Sequence, residues 1–200
     1  MSDDPAAARP DAQSRPRSTR ALWLLLAVCV APIVASYAAF YFWRPAATVN
    51  YGELLPPQRL ADAPLAQADG QPFAFERLRG KWLLVSVDRA ACDAWCGEKL
   101  VWLRQLRLTQ GKEMDRVERV WLLTDGGTPA GAPPVALDGL WIVRAAGSPV
   151  LAQFPGEGQP ADYLYVVDPL GNVMMRYPRG ADPNRIKKDL VRLLKVSQVG

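Results

Sequence analysis

From Ala21 to Phe42 the chain carries no charged side chain and is almost entirely aliphatic or aromatic. At about 1.5 Å per residue, such a run crosses a hydrocarbon layer of roughly 30 Å, which predicts a membrane-spanning helix over 21–43. Trp23 at one end and Tyr37, Tyr41 and Trp43 at the other fit the two interfacial aromatic belts, and Pro32 is tolerated inside such a helix. The run is longer than a signal-peptide core and lacks an A-x-A-like exit, which argues against cleavage. Beyond it, residues 44–63 mix polar side chains with Pro45, Pro56 and Pro57, the composition of a linker.

From residue 64 the apolar positions recur at shorter periods. Pro64 to Ala68 and Gln71 to Phe75 flank Asp69-Gly70, a pair suited to a hairpin with a type I′ turn. Trp82 to Val87 is apolar on both faces, as in a central strand covered on both sides. Glu98 to Gln110 has helical spacing: Cys96, Leu100, Leu103 and Leu106 share one stripe, Lys99, Arg104 and Arg107 fall outside it, and Gly111 supplies a stop. Val117 to Leu123 reads as a second strand, so that strand, helix and strand form a right-handed parallel crossover. Leu140 to Val143 fits a short strand and Pro149 to Phe154 a helical turn. Tyr163 to Val167 and Asn172 to Tyr177 surround Asp168-Pro169-Leu170-Gly171, the pattern of an antiparallel hairpin. Asp182 then caps a last helix with Pro183 at its first position and Ile186, Leu190, Leu193 and Leu194 on its apolar face. The sum is an α/β domain over 64–200 with a mixed sheet and flanking helices.

Charge orients the apolar helix. Arg9, Arg15, Arg17 and Arg20 precede it, whereas Arg44 is followed by no basic residue until Arg59. The positive-inside bias therefore puts a disordered tail, residues 1–20, in the cytoplasm and exports the domain. In a bacterium this is a single-pass inner-membrane protein with a periplasmic domain, where cysteine pairs can be oxidised. The net charge of +4 owes much to the tail, and no run of Lys or Arg interleaved with aromatics argues for nucleic acid. The chain has no histidine, which excludes Ser-His-Asp and Cys-His catalysis and His-ligated zinc.

What chemistry remains centres on Cys92-Asp93-Ala94-Trp95-Cys96, where an apolar strand turns into a helix. A cysteine at a helix N-terminus faces unpaired N–H groups and the positive end of the dipole, which favours thiolate. This makes Cys92 the candidate nucleophile and Cys96 the resolving thiol, with Asp93 opposing the thiolate and Arg89 supporting it. Two residues four apart in a regular helix stand about 6 Å apart at Cα, so disulfide closure requires the loop to bend. The same two sulfurs, once reduced, are soft ligands that suffice for two-coordinate Cu(I), with Met174 or Met175 as candidate third donors; Cu(II) prefers nitrogen and oxygen ligands. Simpler readings stand beside these. The pair also fits a structural disulfide, the methionines ordinary strand residues, most tryptophans core, and Cys29 packing within the membrane span.

A strand-turn-helix carrying paired cysteines, followed by a hairpin and a C-terminal helix, resembles the thioredoxin fold. Gly80-Lys81-Trp82-Leu83-Leu84-Val85, the three-residue gap of Cys92 to Cys96, and Asp168-Pro169-Leu170-Gly171 resemble the Sco/SenC family in particular. The resemblance covers about 64–196 and the single anchor. It implies a thioredoxin-like domain assisting cytochrome c oxidase assembly, with an oxidase subunit or another assembly factor as partner and Cu(I) as the cargo or cofactor of Cys92 and Cys96. Gly97 stands where that family usually has proline, and the place of its ligand histidine falls near Pro160. Pro160 instead resembles the proline, often preceded by a cis bond, that faces the cysteines in thioredoxin-like proteins, and Trp95 is expected at the site's rim. Three functions are thus open: thiol–disulfide or Cu(I) handling in oxidase assembly, a non-catalytic scaffold with a structural disulfide, and a general reductase feeding cytochrome c maturation.

Overall fold

The computed structural model describes residues 19–42 and 50–197, in two units. The first holds α1 (Thr19–Phe42), with Pro32 inside it and every residue exposed; it is long and apolar enough to cross a membrane. Trp43, residues 1–18 and residues 44–49 of the expected linker lie outside the described residues.

The second unit is a mixed sheet of eight strands in the order β1-β8-β7-β4-β5-β6-β2-β3. These are β1 (Glu53–Arg59), β2 (Leu65–Gln67), β3 (Pro72–Phe73), β4 (Trp82–Asp88), β5 (Val117–Leu123), β6 (Trp141–Arg144), β7 (Tyr163–Val167) and β8 (Asn172–Pro178). β4, β5 and β6 run parallel and every other pairing is antiparallel. The helices are α2 (Ala94–Leu108), the single turn α3 (Pro134–Leu137) and α4 (Pro183–Val196). Every residue of β4 is buried, as the two-sided apolar run required.

The two-residue period of the strands divides the core into two layers. Trp82 and Leu84 of β4, Val117, Trp121 and Leu123 of β5, and Leu164 and Val166 of β7 face the layer that contains Leu100, Leu103 and Leu106 of α2 and Ile186, Leu190 and Leu194 of α4. Leu83, Val85 and Val87 face the opposite layer, closed by Leu60, Phe73, Phe75, Leu78, Val150 and Phe154. By the same alternation Ser86 and Asp88 fall on the α2 side.

The structure corrects several sequence expectations. Much of the expected linker is sheet: β1 pairs with β8, and Arg176 grips Glu53 through two hydrogen bonds of 2.7 and 2.8 Å. Pro56 and Pro57 masked this strand, but β1 is an edge strand, where a missing N–H need not break a ladder. Just before it, a Cβ at Gly52 would stand 2.5 Å from Met175 Sδ and 2.6 Å from a Tyr177 ring carbon. Gly52→Ala should therefore cost about 1–3 kcal/mol by overpacking, read from the urea midpoint of the full chain. The β2–β3 hairpin forms, but Asp69 keeps a negative φ and only Gly70 is left-handed. The Gly70 N–H reaches back to Gln67 O, so the connection is a turn followed by a left-handed glycine, and type I′, which needs two positive φ values, is ruled out. α2 stops at Leu108, before Gly111, where the Thr109 hydroxyl donates to Leu106 O. In β8, Val166 opposes Met175 and Val167 opposes Val173, which leaves Met174 as the extra residue of a bulge.

Candidate functional site

The strand carrying the cysteine loop is held on both sides, by β5 and β7, so the loop leaves a fixed platform. Cys92 lies before the helix and Cys96 in its first turn, and Asp93 is the cap between them, its carboxylate accepting from the Cys96 N–H at 2.8 Å. The extended backbone at Asp93 bends the segment as closure required. Cys92 and Cys96 are joined in a disulfide with Cα atoms 5.3 Å apart, inside the ordinary window for such bonds. The two sulfurs differ in access, since Cys92 is half-buried and Cys96 is buried at 1% exposure. A second loop holds the first from outside. Cys92 N–H donates to Ala130 O at 2.9 Å, and Gly131, at φ +80°, lies where a Cβ would come 2.6 Å from Cys92 O. Gly97, in place of proline, leaves room for Pro133, whose Cδ would be 3.3 Å from a Cβ there.

The charges around the pair are already engaged. Arg89 is salt-bridged to Asp125 at 3.1 Å, so its support for a thiolate is partly neutralised. The Ala90 N–H, first, and then Arg89 hold the Asp125 carboxyl below the usual carboxylate range. Lys99, expected on the solvent side, is fully buried. Its ammonium lies 2.9 and 2.8 Å from the two oxygens of Asp88, which also accepts from the Ser86 hydroxyl. Burial holds Lys99 below the usual lysine range, against the pull of Asp88.

Of the residues expected to shape the site, Trp95 is buried and is not among the residues lining the groove beside Cys92. Its indole N–H donates to Ala161 O at 3.0 Å and its ring stands edge-on to Trp102. Trp102, expected as core, packs against the core and also lines the open groove beside Cys92. Pro160 starts a 3-10 turn (Pro160–Asp162), and there is no cis peptide bond among the described residues. The contact from that segment is made by the next carbonyl, Ala161 O, which takes both Trp95 and Lys99. Met175 is buried in the core and Met174 packs on it; neither lines the groove.

Among the described residues no group of three or more Cys, His, Asp or Glu side chains is placed to hold a metal. The donor set is two sulfurs bonded to each other. Opened by two electrons, they become two thiolates, a set that fits Cu(I) and, with no imidazole in the chain, fits Cu(II) poorly.

Solved structures with this fold include yeast Sco1 with copper bound, 18% identical with a TM-score of 0.55, covering 72% of this chain and 96% of that one. Arabidopsis thaliana ScoI with copper bound is 15% identical with a TM-score of 0.55, covering 70% and 100%. BsSco, described in a study of its disulfide switch as a member of the Sco family of cytochrome c oxidase assembly proteins, is 17% identical with a TM-score of 0.52, covering 71% and 98%. No curated protein matches the sequence. At these identities the likeness establishes the fold, a thioredoxin-like mixed sheet of the Sco type. The model of the transmembrane-like, thioredoxin-like C-terminal domain matches residues 82–197, from the first residue of β4 through the end of α4, and the chain belongs to that family.

Proposed function

We propose that this chain is a membrane-anchored, exported thiol–disulfide protein that assists assembly of a copper-containing oxidase. The observation that carries the proposal is the asymmetry of the disulfide: one sulfur half-exposed beside a groove, the other buried in the first turn of α2. Cys92 is then the sulfur that meets a client and Cys96 the one that leaves and returns, both aided by the positive end of the helix. When reduced, the pair would hold Cu(I) between two thiolates. The copper-bound yeast and Arabidopsis structures and the oxidase-assembly role named for BsSco support the assignment of client. α1 is the anchor, and the basic residues before it support a cytoplasmic tail, residues 1–20, with the domain in the periplasm.

The test is a redox equilibrium of the full chain against glutathione, beside Cu(I) transfer from a competing chelator. A potential above about −300 mV and Cu(I) uptake that disappears in Cys92→Ser are expected. The burial of Cys96 favours one rival, a scaffold with an inert bridge. A potential below that mark, no Cu(I) uptake, and full oxidase assembly in cells carrying the Cys92→Ser, Cys96→Ser variant would establish the scaffold instead.

A further inference from the structure

Beside the half-buried Cys92 runs an open groove of about 460 Å³ between the first turns of α2 and the loop before α3. Its apolar surface comes from Val101, Trp102, Gly97 and Pro133, and Cys92 is part of its lining. Among its lining residues the charged ones are Asp93 and Glu98, both exposed, and no basic side chain joins them. Of the cations on neighbouring segments, Lys99 is buried on Asp88, Arg89 is salt-bridged to Asp125, and Arg179 lies over the Trp95 ring, outside the groove lining. A polypeptide lying here with its sulfur at Cys92 therefore meets an apolar floor and two exposed carboxylates, Asp93 at the cap of α2 and Glu98 one turn on. Those carboxylates repel an incoming thiolate unless the segment brings positive charge.

We infer that the groove receives a cysteine-bearing polypeptide segment with Lys or Arg within a few residues of its cysteine and an apolar side chain placed on Val101 and Trp102. The inference rests on the thiol–disulfide reading and specifies its client. In the exchange, the client thiolate attacks Cys92 Sγ and the Cys92–Cys96 bond breaks. Its electron pair goes to Cys96 Sγ, which takes a proton from water, while Cys92 is held to the client in a mixed disulfide. A second client thiolate then attacks the client's own sulfur in that bond and releases Cys92 as thiolate. The client has lost two electrons and the cysteine pair has gained them.

The experiment uses the full chain in uncharged detergent micelles and two synthetic peptides that differ only in flanking charge, Arg-Cys-Leu-Arg and Glu-Cys-Leu-Glu between identical ends. Each rate of disulfide opening is divided by the same peptide's rate with bis(2-hydroxyethyl) disulfide, which removes the difference in intrinsic thiol reactivity. The expected ratio favours the arginine peptide by about threefold to tenfold, falls toward one in 0.5 M sodium chloride, and falls likewise in Asp93→Asn, Glu98→Gln, where the asparagine keeps an oxygen for the cap. Equal rates for the two peptides, or a preference that survives both substitutions, overturn the inference while leaving the thiol reading intact. Failure of neutral β-mercaptoethanol to open the disulfide at all would instead overturn the thiol reading, and the inference with it.

Discussion

Asp88→Asn is expected to destabilise the domain by about 3–5 kcal/mol, enough to consume much of the stability of a domain this size. The substitution leaves the Lys99 ammonium in the core with the carbonyls of Ala161 and Tyr163, the face of the Trp95 ring and a neutral amide. An uncompensated buried charge of this kind is costly because desolvation is no longer offset. The double change Lys99→Met, Asp88→Leu removes both charges and should recover most of the loss. Alkaline titration supplies a second readout. The folded protein already holds Lys99 below its unfolded value, and loss of Asp88 lowers it further. Below the folded value both states bind the proton and stability is flat. Between the folded value and about 10.4, the unfolded state binds more, so stability rises with pH. The deficit of Asp88→Asn should therefore shrink as pH rises from 7 toward 10. Urea unfolding followed by tryptophan fluorescence at several pH values checks both parts. A loss below about 1 kcal/mol would show that Lys99 finds water or another partner.

Asp189→Ala should cost about 3–5 kcal/mol. This carboxylate of α4 is 2% exposed, and one of its oxygens accepts from Tyr51 N–H and Gly52 N–H, both at 2.8 Å, and from the Tyr177 hydroxyl at 3.2 Å. Each buried donor left without a partner costs about 1–3 kcal/mol. Burial, with the neighbouring carboxylate, also raises the Tyr177 phenol well above the usual tyrosine range, so the hydroxyl remains a donor at any physiological pH. Asp189→Asn keeps an acceptor and should lose less than half as much. Hydrogen exchange separates this effect from general loosening. The Tyr51 and Gly52 amides should lose protection first, and those of β4 only at the global limit.

Much of the fold is legible in the sequence because its signals are local. The hairpin around Asp168-Pro169-Leu170-Gly171, the Asp182 cap and the cysteine loop are each written within a few residues, and the turn bond from Gly171 N–H to Asp168 O is the one their spacing implies. What escaped depends on partners far along the chain. β1 becomes a strand through its pairing with β8, which overrides two prolines. Lys99 was misplaced because charge was weighed above position. It follows Cys96 by three residues and precedes Leu103 by four, so the helix puts it within the buried stripe, and Asp88 on the facing strand makes that burial affordable. Pro160 drew attention by residue type, while the contact is made by the carbonyl beside it. Backbone carbonyls have no signature in sequence.

The placement of β1 also constrains the order in which the domain is made. Glu53 pairs with Arg176, and Asp189 holds Tyr51 and Gly52, so the first residues of the domain wait for nearly the last. A chain that emerges amino end first exposes an unpaired strand until β8 has followed it, and closing so long a loop is entropically expensive and slow. Pro56 and Pro57 then gain a second use, since an edge interrupted by prolines is a poor template for a neighbouring chain during that interval.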